Sequence, residues 1–296
     1  MKPKILVILG PTATGKSDLA VQIAKKYNGE IISADSRQVY TDLDIGTGKI
    51  TKKEMRGVPH YMLDVITPKK VFSVSDWQKQ TKKIIADIIS RDRLPIICGG
   101  TGFYIQSTVD DIVLPEVPAN KELRKKLEKK SLSELQTILM KLDPERLKNV
   151  DAKNPVRLIR AIEIATELGT VPKIKKNKSQ HEFLQIGLTL PDDELKTRIH
   201  NRLLSRVKKG MIKEVQELHN TGLSWKRMWT LGLEYRYMAE YLQQKLTKKE
   251  FLEKLETEIW HYAKRQVTWF KRDKKIKWYK PGDIKDIEEE VGKFLE

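Results

Sequence analysis

ILVILGPTATGKS, residues 5–17, decides how the rest of the chain is read. Ile5 to Leu9 is a short apolar, β-rich run, Gly10 stops it, and from Lys16 to Lys26 apolar residues recur at helical spacing. Strand, glycine turn and helix make the opening unit of a parallel α/β domain. Gly10, Pro11, Thr12, Ala13, Thr14, Gly15, Lys16 and Ser17 satisfy the P-loop pattern in full, at the strand-to-helix junction where that pattern works. The glycines let consecutive backbone N–H groups face an anion, and the helix N-terminus adds its dipole. Lys16 adds a point charge, and the Ser17 hydroxyl can hold Mg2+. Such a loop recognises a pyrophosphate; ATP is one compound that carries it, not the only one.

Two more strand-like runs end in polar residues. Glu30 to Ala34 stops at Asp35, and Leu94 to Cys98 stops at Gly99-Gly100-Thr101-Gly102. In open parallel sheets ligands collect outside the carboxyl ends of strands, so these termini and the P-loop are expected to share one crevice. Asp35 is then either a turn residue or a carboxylate placed to take a proton from an attacking nucleophile. The Thr101 hydroxyl either bonds a substrate or completes its own turn. No run ends in a clear second acidic metal ligand, which counts against an ATPase.

From about Pro115 to Gln180 strand signals vanish and a lysine-rich helical pattern takes over, broken at Asp143-Pro144 and Asn154-Pro155. Phe183 to Leu190 returns to an apolar strand, helical segments follow near 192–220, 230–245 and 247–272, and Ile276 to Lys280 reads as a last strand. The expected fold is α/β, a P-loop, doubly wound parallel sheet core with a helical insertion domain: 1–115 core, 116–181 insertion, 182–296 core again. The 296 residues carry a formal charge of +17, which points to a polyanionic partner. A single cysteine, Cys98, rules out a disulfide framework and suits a reducing, cytoplasmic setting. No run approaches the roughly 18 apolar residues of a membrane span, and the opening stretch lacks the pattern of a signal peptide.

The strongest basic feature lies between Glu253 and Arg272. Leu255, Ile259, Tyr262, Ala263, Val267 and Phe270 recur there as a core face. His261, Lys264, Arg265, Thr268 and Arg272 fall on the other side, and Lys271, Lys274, Lys275 and Lys277 extend the charge with only Asp273 against it. A solvated face mixes signs, so phosphate contact is the favoured use. Arg157 and Arg160 share a face and reach either RNA or the carboxylates of Glu163 and Glu167. Arg198 and Arg202 are four apart and reach either the pyrophosphate or solvent. Trp225, Trp229 and Trp260 read as core as readily as base-stacking groups, and none is given a role.

Taken in order, several blocks resemble those of the bacterial-type tRNA dimethylallyltransferases over nearly the whole chain. They are the P-loop, Ser33-Ala-Asp-Ser-Arg-Gln-Val-Tyr40, Asp44-Ile-Gly-Thr47, Pro59-His-Tyr-Met-Leu-Asp64, Gly99-Gly-Thr-Gly102, Asn154-Pro-Val-Arg-Leu-Ile-Arg160 and Ala263-Lys-Arg-Gln-Val-Thr-Trp-Phe-Lys271. The resemblance implies transfer of a dimethylallyl group from dimethylallyl diphosphate to the exocyclic N6 of the adenosine next to the anticodon in tRNA. Mg2+ would sit at the leaving group, the helical insertion would clasp the anticodon arm, and the chain is expected to act as a monomer. By the same resemblance Asp35 is the general base, Thr101 bonds near the reacting amine, and Arg198 serves the pyrophosphate site. Asp35, Ser36, Arg37, Gln38, Arg157, Arg160, Lys264, Arg265, Gln266, Thr268 and Lys271 fall in segments that touch tRNA.

Two stretches depart from the family pattern. Leu231-Gly-Leu-Glu-Tyr-Arg236 stands where Gly-Tyr-Lys-Glu is common, and Gly48 stands where an alanine usually precedes the lysine. Two rivals share much of the chemistry. A P-loop kinase of a nucleoside or other small molecule needs the same cradle, carboxylate and Mg2+, and a non-enzymatic RNA-binding ATP switch would bind both ligands and transfer nothing.

Overall fold

The computed structural model describes residues 2–296. The chain divides into two compact units, Met1–Asp111 with Lys178–Glu296, and Ile112–Asn177. The first unit begins β1 (Lys4–Leu9), α1 (Lys16–Lys26), β2 (Gly29–Ala34), α2 (Lys52–Met55), β3 (His60–Tyr61), α3 (Val74–Ser90), β4 (Leu94–Gly99) and α4 (Gly102–Val109). In β1, Ile5, Val7 and Leu9 enter one apolar cluster while Leu6 and Ile8 enter another. A strand that buries both faces cannot alternate with polar residues, which is why it reads as an unbroken apolar run.

The second unit consists of β5 (Ile112–Val113), α5 (Lys121–Leu127), α6 (Leu132–Leu142), α7 (Pro144–Asn149), α8 (Pro155–Leu168) and β6 (Lys175–Lys176). Its ends fall at 112 and 177 rather than at 116 and 181, because β5 and β6 pair antiparallel, Ile112 opposite Lys176. Two-residue strands leave no periodicity to find. Asp143 and Asn154 do more than break helices, since their carboxylate and amide oxygens accept the backbone N–H of Arg146 and Arg157 and so cap α7 and α8, with proline next in line. Leu127, Leu135, Leu139, Leu158 and Ile162 close the unit's own core.

The first unit resumes with β7 (Glu182–Leu188), α9 (Asp192–Lys208), α10 (Met211–Asn220), α11 (Trp225–Thr230), α12 (Leu233–Leu242), α13 (Lys248–Phe270), β8 (Lys277–Tyr279) and α14 (Ile284–Leu295). The single segment expected near 192–220 is two helices, because Gly210 at φ 102 turns the chain between them. The sheet order is β3-β2-β4-β1-β7-β8 and every pairing is parallel. α1 and α14 cover one face through Leu19, Ile23, Ile287 and Val291, and helices including α3, α9, α12 and α13 cover the other. Sequence periodicity misses β3, which is two residues long. Its Tyr61 hydroxyl donates to the buried Glu30 carboxylate at 2.8 Å, and Arg91 holds the same carboxylate at 2.6 and 2.8 Å, which lowers the Glu30 pKa.

Candidate active site

The carboxyl ends of β1, β2 and β4 are neighbours in the sheet, with Leu9 and Ala34 both in register with Gly99. The P-loop, the Asp35–Gln38 turn and the Gly99-Gly100 turn therefore line one cleft of about 650 Å³. The expected convergence is present. Gly10 is required by contact, since a Cβ there would lie 2.4 Å from the Leu188 carbonyl oxygen. Lys16 folds back so that its Nζ donates to the Pro11 carbonyl at 2.5 Å, and burial lowers its pKa to about 8. The Thr14 hydroxyl is spent on the same carbonyl, whereas Ser17 is exposed at the head of α1.

Asp35 both sets a turn and lines the cleft. Its Oδ1 accepts the backbone N–H of Arg37 at 2.8 Å and of Gln38 at 3.4 Å, which sets the turn. The residue also lines the cleft, and no donor among the described residues is bonded to its Oδ2. Thr101 ties the two turns together, accepting the Ser36 amide on its hydroxyl oxygen at 3.0 Å. That hydroxyl keeps its own hydrogen to donate.

One face of α9 presents Arg198, Arg202 and Arg206 to the cleft at four-residue spacing. Arg198 is at the rim and pairs with Glu194 one turn back at 2.8 Å. Arg202 is the arginine that reaches the P-loop, donating to the Thr12 hydroxyl at 2.9 Å; burial, helped by neighbouring Arg206, lowers its pKa to about 10. Two guanidinium groups share this wall with the Glu234 carboxyl 3.6 Å from Arg206, and burial raises the Glu234 pKa. Such a wall holds positive charge in wait for an anion.

Arg206 explains one of the sequence departures. Its guanidinium donates to the Gly46 and Thr47 carbonyls at 3.3 Å each. A Cβ on residue 48 would lie 1.8 Å from its Nη2, and Gly48 has φ +60. Glycine makes room for this arginine, and Glu234 pairs with it from the other divergent stretch. The loop itself hangs on Glu214, whose carboxylate accepts the amides of Asp44, Ile45 and Gly46 and the hydroxyl of Tyr235. Neither Arg206 nor Glu214 was marked by sequence. The four-residue step from Arg202 was the available signal for Arg206.

The basic face of α13 is largely as expected, with Lys264, Arg265, Thr268, Lys271 and Arg272 exposed. Lys264 pairs with Asp192 at 2.9 Å, and Arg265 lies over the Tyr262 ring and lines the cleft. Gln266, by contrast, is buried and lines the cleft from the helix's inner side. Its Oε1 accepts the Thr12 amide at 2.9 Å and its Nε2 donates to the Gly100 carbonyl at 2.8 Å, so it staples the P-loop to the β4 turn. Seven residues after Ile259, it sits on the helix's core side. Gln266→Leu should leave both backbone groups unpaired and cost about 1–3 kcal/mol, read as a lower urea midpoint. In the insertion, Arg160 and Arg124 both grip the buried Glu163 carboxylate, and Arg160 also donates to the Val117 carbonyl. Of the carboxylates left open as partners for Arg160 the structure shows Glu163, whereas Arg157 is exposed beside Asp151.

The family model described as IPP transferase matches residues 38–273. A relative from Treponema denticola, called tRNA dimethylallyltransferase 2, is 45% identical over 279 residues, covering 93% of each chain. A tRNA dimethylallyltransferase from Halothermothrix orenii is 39% identical over 301 residues, covering 98% of this chain and 92% of that one. The crystal structure of a full-length tRNA isopentenylpyrophosphate transferase from Bacillus halodurans superposes with a TM-score of 0.76 at 34% identity, covering 99% and 97% of the two chains.

Proposed function

We propose a reaction for this chain, which belongs to the IPP transferase family: transfer of a dimethylallyl group from dimethylallyl diphosphate to the exocyclic N6 of the adenosine next to the anticodon in tRNA, with release of pyrophosphate. The observation that carries it is the pairing, in one cleft, of an anion cradle with the Asp35 carboxylate, beside the basic face of α13.

An exocyclic amine is a weak nucleophile, so most of the barrier is lowered at the leaving group, where charge develops as the allylic C–O bond breaks. Lys16, Arg202 and the P-loop amides face that charge. Asp35 takes the amine proton as the new C–N bond forms, with Thr101 holding its turn in place. A stacked adenine cannot enter a crevice at strand ends, so the base is splayed from the loop. Among the described residues no cluster of three or more His, Cys, Asp or Glu offers a metal cage. The exposed Ser17 hydroxyl is the group that would hold Mg2+, and Mg2+ bound there would neutralise leaving-group charge. No described helix is long and apolar enough to cross a membrane. We place the protein in the cytoplasm, acting as a monomer.

The test is transfer of labelled dimethylallyl diphosphate to unmodified tRNA with Mg2+, run beside ATP. Label in the anticodon-loop adenosine supports the prenyltransferase; phosphate moved from ATP without RNA would establish the kinase instead. Binding should also weaken with salt, and Lys264→Ala should reduce the slope of log K against log salt by about 0.7–0.9 if one phosphate contact is lost.

A further inference from the structure

A second groove of about 520 Å³ lies beside the cleft, and Arg236 lines both. Trp229 forms part of its wall and is 49% exposed, an unusual position for so large an apolar ring. The Arg236 guanidinium lies 4.0 Å from the Trp229 ring centroid, and its Nε donates to the Trp229 carbonyl at 3.3 Å. The indole N–H donates to Glu240 at 3.2 Å, which fixes the plane of the ring. With Arg236 over the ring, about half of the Trp229 surface is still open to solvent. Thr230, the next residue along the chain, already lines the cleft.

We propose that Trp229 and Arg236 form a stacking site for an unpaired base of the RNA loop that neighbours the base held in the cleft. This rests on the RNA-modifying function proposed above. The groove's charge argues for a base and against a phosphate, since Glu240, Glu253 and Glu258 outnumber Arg236 and Lys254. Carboxylates repel phosphate but accept from the exocyclic amines of bases. Aromatic rings and guanidinium planes are the surfaces on which splayed bases stack, and here the two are already stacked on each other at the edge of the groove. The placement also fits. On α13 the groove is lined by Thr257 and Glu258 and the cleft by Ile259, Tyr262 and Arg265, so the two adjoin along one helix, as the sites of neighbouring nucleotides of a splayed loop must.

The experiment measures both RNA affinity and steady-state transfer for an anticodon stem-loop. Trp229→Ala should weaken RNA binding about tenfold, with the KM for dimethylallyl diphosphate within about twofold of its starting value, and Trp229→Tyr should recover most of the loss. Trp229→Leu keeps apolar bulk beneath Arg236 but has no π face, and should behave as alanine does. An abasic nucleotide beside the target adenosine should cost the unaltered protein the same factor and cost Trp229→Ala nothing further. Unchanged affinity in Trp229→Ala, full affinity in Trp229→Leu, or losses that simply add would overturn the proposal. RNA affinity needs no chemistry, so RNA that binds without being prenylated would sink the reaction proposed above and leave this test standing.

Discussion

Asp35→Asn should cut the rate of prenyl transfer by about 10²- to 10⁴-fold, the usual contribution of a positioned proton acceptor, while RNA affinity changes by no more than about twofold. The substitution separates two roles that the structure combines in one side chain. An asparagine carbonyl oxygen can still accept the amides of Arg37 and Gln38, so the turn that presents residues 35–38 is retained. What is lost is the negative charge of a carboxylate that lines the cleft and whose second oxygen is bonded to no donor among the described residues. Asp35→Ala would remove both and confuse a collapsed turn with lost chemistry. The check is single-turnover transfer at saturating RNA, with affinity measured on the same variant. If Asp35→Asn transferred at more than about a tenth of the starting rate, the carboxylate would be a turn residue only, and the proton would leave by another route.

The parts legible in sequence are those where local chemistry and fold position coincide. The P-loop announces itself because strand, glycines, lysine and helix are contiguous, and Asp35 and the Gly99 turn follow because apolar runs stop at them. The wall formed by α9 was only half legible. Spacing put Arg198 and Arg202 on one face, but which arginine meets the P-loop depends on how α9 packs across the sheet, and that is set by contacts far apart in sequence. The structural part that Gln266 plays was not legible, because its register with Ile259 and Ala263 turns it inward but does not say that the P-loop and the Gly100 carbonyl are what it meets. Trp229 could not be assigned at all, since an exposed tryptophan and a core one have the same helical spacing. The departures from the family pattern are informative for a related reason. Gly48 and Glu234 lie far apart in the chain, yet both adjoin Arg206, so two changes that look unconnected in sequence meet at one guanidinium.

Lys16 carries the other large expected effect. Lys16→Met should reduce kcat/KM by about 10²- to 10³-fold, the range for removing one preorganised group that meets developing charge. The pH dependence distinguishes this from simple damage to the loop. In the free protein the Lys16 pKa is lowered from its ordinary 10.5 to about 8 by burial. Between those values the unfolded chain holds a proton on this lysine and the folded protein does not, so this group makes stability rise with pH from about 8 to 10.5. Below about 8 both states are protonated and the contribution is flat. A bound diphosphate reverses the balance, because an anion against Nζ favours the charged amine and draws a proton in. Pyrophosphate affinity should therefore fall as pH rises through about 8, and the rise in stability of the free protein should shrink when pyrophosphate is present. Urea midpoints and pyrophosphate titrations between pH 7 and 10, on the unaltered protein and on Lys16→Met, supply the comparison. Parallel curves for the two proteins across that window would mean that Lys16 does not carry the proton, and that the cradle draws its charge from Arg202 and the loop amides alone.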